Sequence, residues 1–159
     1  MTSAARLPWG TLAAAIGALL GAVVWAAIST ATGYQIGYMA VLVGFLAGLA
    51  MRLVGGGRDR ADGIVAALVA LAGCVLGNSL MIAFEATKEL RRPLPAVLFG
   101  LIVHPAVSLK LLELAFTPMD LVFYAIAAYA GYRTASKASR GAAAGPPQGA
   151  PAPAKPSAL

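Results

Sequence analysis

Charge is what this sequence has least of. Only 11% of its 159 residues are Asp, Glu, Lys or Arg, against 60% hydrophobic. A water-facing domain carries about 25% charged residues to cover its surface. Eighteen charged side chains cannot do that here, so a soluble enzyme is excluded as the expected class. Disorder is excluded for most of the chain by the same hydrophobicity. Cysteine occurs once, at Cys74, which rules out a disulfide scaffold. Histidine also occurs once, at His104, with no neighbouring Cys or carboxylate at ligand spacing, so no metal site is expected. What is abundant is apolar: mean hydropathy is +0.81. The composition is that of an all-α integral membrane protein.

A span needs about 20 mostly apolar residues to cross roughly 30 Å of hydrocarbon. Four segments qualify as spans, at about 9–30, 35–54, 63–84 and 118–137. The last reaches full length only if Arg133 and Lys137 snorkel to the headgroups. Arg6 ahead of the first apolar run would also suit a cleavable leader. Its length and its small residues at four-residue spacing favour a permanent helix instead.

Between the third and fourth spans, 96–116 is apolar but broken at His104-Pro105, because a residue before proline is driven out of helical geometry. This segment is expected as two helical pieces at the outer interface. A fifth crossing would carry His104, Lys110 and Glu113 into the membrane and is disfavoured by that cost. Thr117-Pro118-Met119-Asp120 is a helix start: Thr117 can cap, Pro118 suits the first position, and Asp120 can reach back from the third. Residues 1–8 are expected on the cytoplasmic side. The Ala/Pro-rich tail at 138–159 is expected to be disordered there.

Lys and Arg counts set the orientation. With both termini inside, the cytoplasmic side holds eight basic residues and the opposite side four, as the positive-inside rule requires. The excess of basic charge is thus explained by topology and the anionic inner leaflet, without a nucleic acid partner. Gly55-Gly56-Gly57 lacks both a preceding strand and the Gly-Lys-Ser/Thr ending of a phosphate loop, and is expected to be a turn.

The strongest motif is small-residue spacing. Lipid tails are as apolar as leucine, so close approach of backbones must hold helices together. Gly17 and Gly21, Gly44 and Gly48, and Gly73 and Gly77 recur at four-residue intervals, with Gly37 entering the second span. These glycines and Asn78, whose amide can bridge helices, are the expected packing residues. Cys74 lies in an apolar stretch and is expected to be inert. Trp9, Trp25, Tyr34 and Tyr38 fall near span ends and fit an aromatic belt, and Tyr124, Tyr129 and Tyr132 fit it around the last span.

Three elements resemble those of a group of small bacterial membrane proteins of uncharacterised function. They are Thr32-Gly33-Tyr34-Gln35-Ile36-Gly37-Tyr38-Met39-Ala40, Gly73-Cys74-Val75-Leu76-Gly77-Asn78, and Thr117-Pro118-Met119-Asp120-Leu121-Val122-Phe123-Tyr124. The last continues through Ile126, Ala127, Tyr129, Gly131 and Tyr132, with Ala130 where that group often has an acidic residue. The resemblance covers roughly 30–133. It implies a bacterial inner-membrane protein and no particular activity. Some members carry an upstream metal-binding ribbon, which has no counterpart here, so metal binding does not carry over.

The expected function is therefore a non-enzymatic membrane scaffold or accessory subunit, with no cofactor and no catalytic residue. Its partners are the lipid bilayer and a membrane protein or further copies of itself. A small oligomeric channel or transporter built on the glycine stripes is the alternative. An enzyme at the outer interface, using His104 with Glu113 or Glu85, comes third.

Overall fold

The computed structural model describes residues 3–34, 37–56 and 59–136. They form six helices: α1 (Ser3–Thr32), α2 (Met39–Gly55), α3 (Arg60–Leu90), α4 (Leu94–Val103), α5 (Pro105–Ala115) and α6 (Pro118–Ser136). Among the described residues there is no strand. The 138–159 tail expected from composition lies outside them, as does Gln35 at the start of the second expected span.

Helix directions follow from which residues meet. Gly10 approaches Gly55, Gly17 approaches Leu46, and Gly21 approaches Val43, so α1 and α2 are antiparallel. Gly73 lies on Ala18 and Gly77 on Trp25, so α3 runs parallel to α1. Gly44 meets Ala127 and Gly48 meets Gly131, so α6 runs parallel to α2. The four helices alternate up and down. α2 and α3 touch across the middle, α1 and α6 flank them on opposite sides, and α1 does not reach α6.

α1 and α3 are long and apolar enough to cross a membrane, and the α4–α5 pair would be a third candidate if counted as one bent span. α2 is apolar but has 17 residues, and α6 has 19. At 1.5 Å per residue these are about 25 and 28 Å long, while the 31 residues of α3 reach about 46 Å.

The interior holds mostly small side chains, with Trp25, Met51 and Tyr124 among the exceptions, and the exterior mostly large ones. Ala14, Ala47, Ala66, Ala70 and Ala127 are fully buried, while Leu20, Ile64, Leu68 and Leu121 stand more than half exposed. A soluble bundle would invert this. The pattern suits helices packed backbone to backbone with aliphatic side chains turned outward to lipid.

Several boundaries differ from expectation. α1 begins at Ser3, and Pro8 lies inside it. The 29–33 turn shrinks because helix continues to Thr32, where Thr30 and Thr32 donate to carbonyls one turn back. Back-bonding hydroxyls of this kind keep polar side chains compatible with an apolar helix. α3 likewise runs six residues past Phe84, and the polar connector is reduced to Arg91–Pro93. Asp59 and Asp62 form a capping box at its start. Each hairpin end is closed by a cation. Lys88 donates to the Thr30 carbonyl at 3.3 Å at the end of α1, and Arg6 lies beside Gly56, the left-handed C-cap of α2. Cations there complement the negative helix end.

Candidate functional site

The closest approaches lie between α2 and α6. A β-carbon placed on Gly44 would collide with the Ala127 backbone, and one on Gly48 would lie 2.5 Å from the Gly131 carbonyl oxygen. On the other flank, a β-carbon on Gly17 would lie 2.6 Å from the Leu46 carbonyl oxygen, and one on Gly21 2.9 Å from the Val43 Cα. Gly73 faces Ala18 and Val43, Gly77 carries the face of the Trp25 ring, and Gly37 meets the Phe123 ring. The expected packing residues therefore lie along two seams, α1–α2 and α2–α6, and on the α3 face toward α1. Gly33, in a left-handed turn, has nothing near it.

The four-residue spacing of Ala127 and Gly131 on the last span also meets a neighbour, the Ala66 carbonyl oxygen 3.1 Å from a β-carbon on Gly131. Gly10, Gly55 and Gly63 lie outside the four-residue pattern, yet they sit in contacts as close as those of the stripes. The reason is periodicity. Buried positions on α3 include 63, 66, 70, 73 and 77, alternating steps of three and four. That is the register of left-handed bundles. A search for constant four-residue spacing catches only part of it.

Asn78 joins α3 to α6. It is fully buried, and its Nδ2 donates to the Tyr124 hydroxyl at 2.8 Å. That hydroxyl donates onward to the Cys74 carbonyl at 3.2 Å. Tyr124 is therefore a core residue and not part of an interfacial belt, and Phe116 packs edge-on against its ring. Trp25 is also corrected. It is 1% exposed, held against Gly77, where Trp9, Tyr34 and Tyr38 are exposed as a belt requires. Trp25 Nε1 and Ser29 Oγ, one turn apart, are buried without a hydrogen-bond partner. A signal for Asn78–Tyr124 existed in the sequence only as two polar groups in apolar helices, with nothing to pair them.

At the start of α6, Asp120 is buried and its Oδ2 accepts from the Thr117 N–H at 2.8 Å and from its hydroxyl at 2.9 Å. The reach back from the third helical position is thus made, and Thr117 turns its hydroxyl to the carboxylate. His104 and Glu113 are both exposed, at opposite ends of α5, about 13 Å apart by helical rise. They do not converge. Among the described residues no group of three His, Cys, Asp or Glu side chains is placed to hold a metal ion. The chain matches no protein-family model, no curated protein and no solved structure.

Proposed function

We propose that this chain is a multi-pass membrane scaffold or accessory subunit, whose work is done by helix faces rather than by a reacting group. The observation that carries the reading is the α2–α6 seam, where Gly44 and Gly48 bring two backbones into direct contact. Such contacts are how helices associate where hydrophobicity gives no preference.

Four spans, α1, α2, α3 and α6, are the topology proposed with it. The up-down-up-down packing supports this. α3 and α6 lie antiparallel, with Asn78 beside Tyr124 and Gly63 beside Tyr132. The end of α3 and the start of α6 are therefore on one side, and the segment between them returns to the side it left. Both termini then share a side, and the basic residues make it the cytoplasmic one. The resemblance described above supports the inner membrane of a bacterium as the location.

The channel alternative meets an obstacle in the middle of the bundle. α2 and α3 touch there, with Val43 and Cys74 fully buried between helices, so a pore would have to form between copies. The test is direct. Purified chain reconstituted in liposomes should pass neither ions nor small solutes. In mild detergent it should co-purify with one membrane protein, or with itself, in a fixed ratio. Solute flux from the purified chain would replace the scaffold reading with the channel one.

A further inference from the structure

α4 and α5 are the least buried helices of the molecule. Val97 is the one buried side chain on α4, and α5 has none. Phe99 and Ile102 are 68% and 77% exposed on the outward face of α4, and Val103 joins them. From Leu94 to Val103 the helix carries no polar side chain. The pair turns by 105° at His104-Pro105.

The turn is chemically self-sufficient in one respect. Pro105 has no N–H, so the carbonyl four residues before it, on Leu101, loses its helical donor. Ser108 replaces it: its hydroxyl donates to the Leu101 oxygen at 2.5 Å. The His104 carbonyl accepts from Val107 and Ser108 N–H groups at 3.0 and 3.2 Å. In water the Leu101 oxygen would be hydrated and needs no such partner. In hydrocarbon a freed backbone group must be satisfied from within the protein.

Charge marks the base of the hairpin. Arg91 and Arg92 are exposed at its root, and Arg91 holds a left-handed conformation with φ of 50°. Among the described residues neither pairs with a carboxylate, and Glu85 is taken by Lys88 at 3.2 Å. Guanidinium groups are suited to bidentate contact with phosphate. On α5, Lys110 and Glu113 point away from the bundle, between leucines, as on a helix at a membrane interface.

We propose that the α4–α5 hairpin is a re-entrant element seated in the outer leaflet, with Phe99 and Ile102 against acyl chains and Arg91 and Arg92 on lipid phosphates. This rests on the four-span reading. Two helices of 10 and 11 residues meeting at 105° span about 19 Å end to end. That is well short of the roughly 30 Å of hydrocarbon, and the antiparallel α3–α6 pair returns the chain to its starting side.

The experiment uses the full chain with Cys74 replaced by Ala, in vesicles of phosphatidylethanolamine and phosphatidylglycerol. Spin labels are placed singly at residues 68, 99, 102 and 110. Oxygen, which partitions into lipid, should relax labels at 99 and 102 as strongly as at 68, where Leu68 faces outward from α3. A water-soluble nickel chelate should relax only the label at 110. In Arg91→Gln/Arg92→Gln the label at 102 should become accessible to nickel, and unchanged accessibility would overturn the headgroup contact. Nickel access at 99 and 102 with a lipid-facing 68 would overturn the hairpin alone. Shielding of 99 and 102 from both reagents would show a protein partner there and overturn it equally. Nickel access at 68 would instead overturn the membrane bundle.

Discussion

At the residue scale, the small side chains and one polar pair hold opposite kinds of information. Gly44 lies where Ala127 leaves no room for a β-carbon, so Gly44→Leu forces two backbones apart along the seam. Overpacking of this kind costs about 1–3 kcal/mol or more. Leu68→Ala, at a position 61% exposed, removes little packing inside the bundle. Thermal aggregation in detergent should show a marked loss for Gly44→Leu and little change for Leu68→Ala. If the two variants match, the seam is not where stability resides. The Asn78–Tyr124 hydrogen bond is a measurable coupling between α3 and α6. A double-mutant cycle with Asn78→Leu and Tyr124→Phe should give about 1 kcal/mol, the range measured between membrane helices. Tyr124→Phe also removes the hydroxyl's second bond, to the Cys74 carbonyl, so the single variant should lose more than the coupling energy alone. Equal losses for the single and the cycle would place the stabilisation elsewhere.

At the element scale, helix existence was legible and helix ends were not. Apolar runs uninterrupted by charge located the cores of α1, α2 and α3, and Thr117-Pro118-Met119-Asp120 located the start of α6. The ends moved because hydropathy registers where lipid begins, whereas a helix stops where its backbone groups find other partners. α3 continues past Phe84 because Glu85, Lys88 and Glu89 are as compatible with helix as with water. Trp25 was misplaced for a related reason: a belt residue and a core residue look alike near a span end until Gly77 is seen to make room for the ring. The start of α6 offers the third test. Asp120→Ala removes the acceptor for both Thr117 donors and should destabilise by about 1 kcal/mol, as for loss of a helix cap. Asp120→Asn keeps an acceptor and should recover most of it. A melting temperature unmoved by Asp120→Ala would show that the cap is redundant with the packing of Tyr124 and Phe116.

At the scale of the whole molecule, parity is the property to test. Four alternating helices place the start of α1 and the end of α6 on one side and the α3–α4 junction opposite. A reporter fused after Leu159 should report cytoplasm, and one inserted at Lys88 the other side. A periplasmic signal from the C-terminal fusion would mean an odd number of crossings. The basic residues of the sequence are the ground for the proposed orientation. The sequence did not carry the neighbour relations, because nothing local distinguishes α1 beside α3 from α1 beside α6. Those depend on which small-residue faces match in three dimensions.

The placement of α6, flanking α2 and α3 but out of reach of α1, has a consequence in time. α1, α2 and α3 are consecutive and can associate as soon as they are made. The α2–α3 groove that receives α6 must then wait for the 27 residues from Arg91 to Thr117 before its occupant is synthesised. At about 5–20 residues per second that delay lasts roughly 1–5 s. On the four-span proposal, Gly44, Gly48 and the amide of Asn78 face lipid during it. The hairpin between α3 and α6 is thus also a delay line, and its length sets how long an assembling bundle presents its most adhesive surface to whatever else is in the membrane.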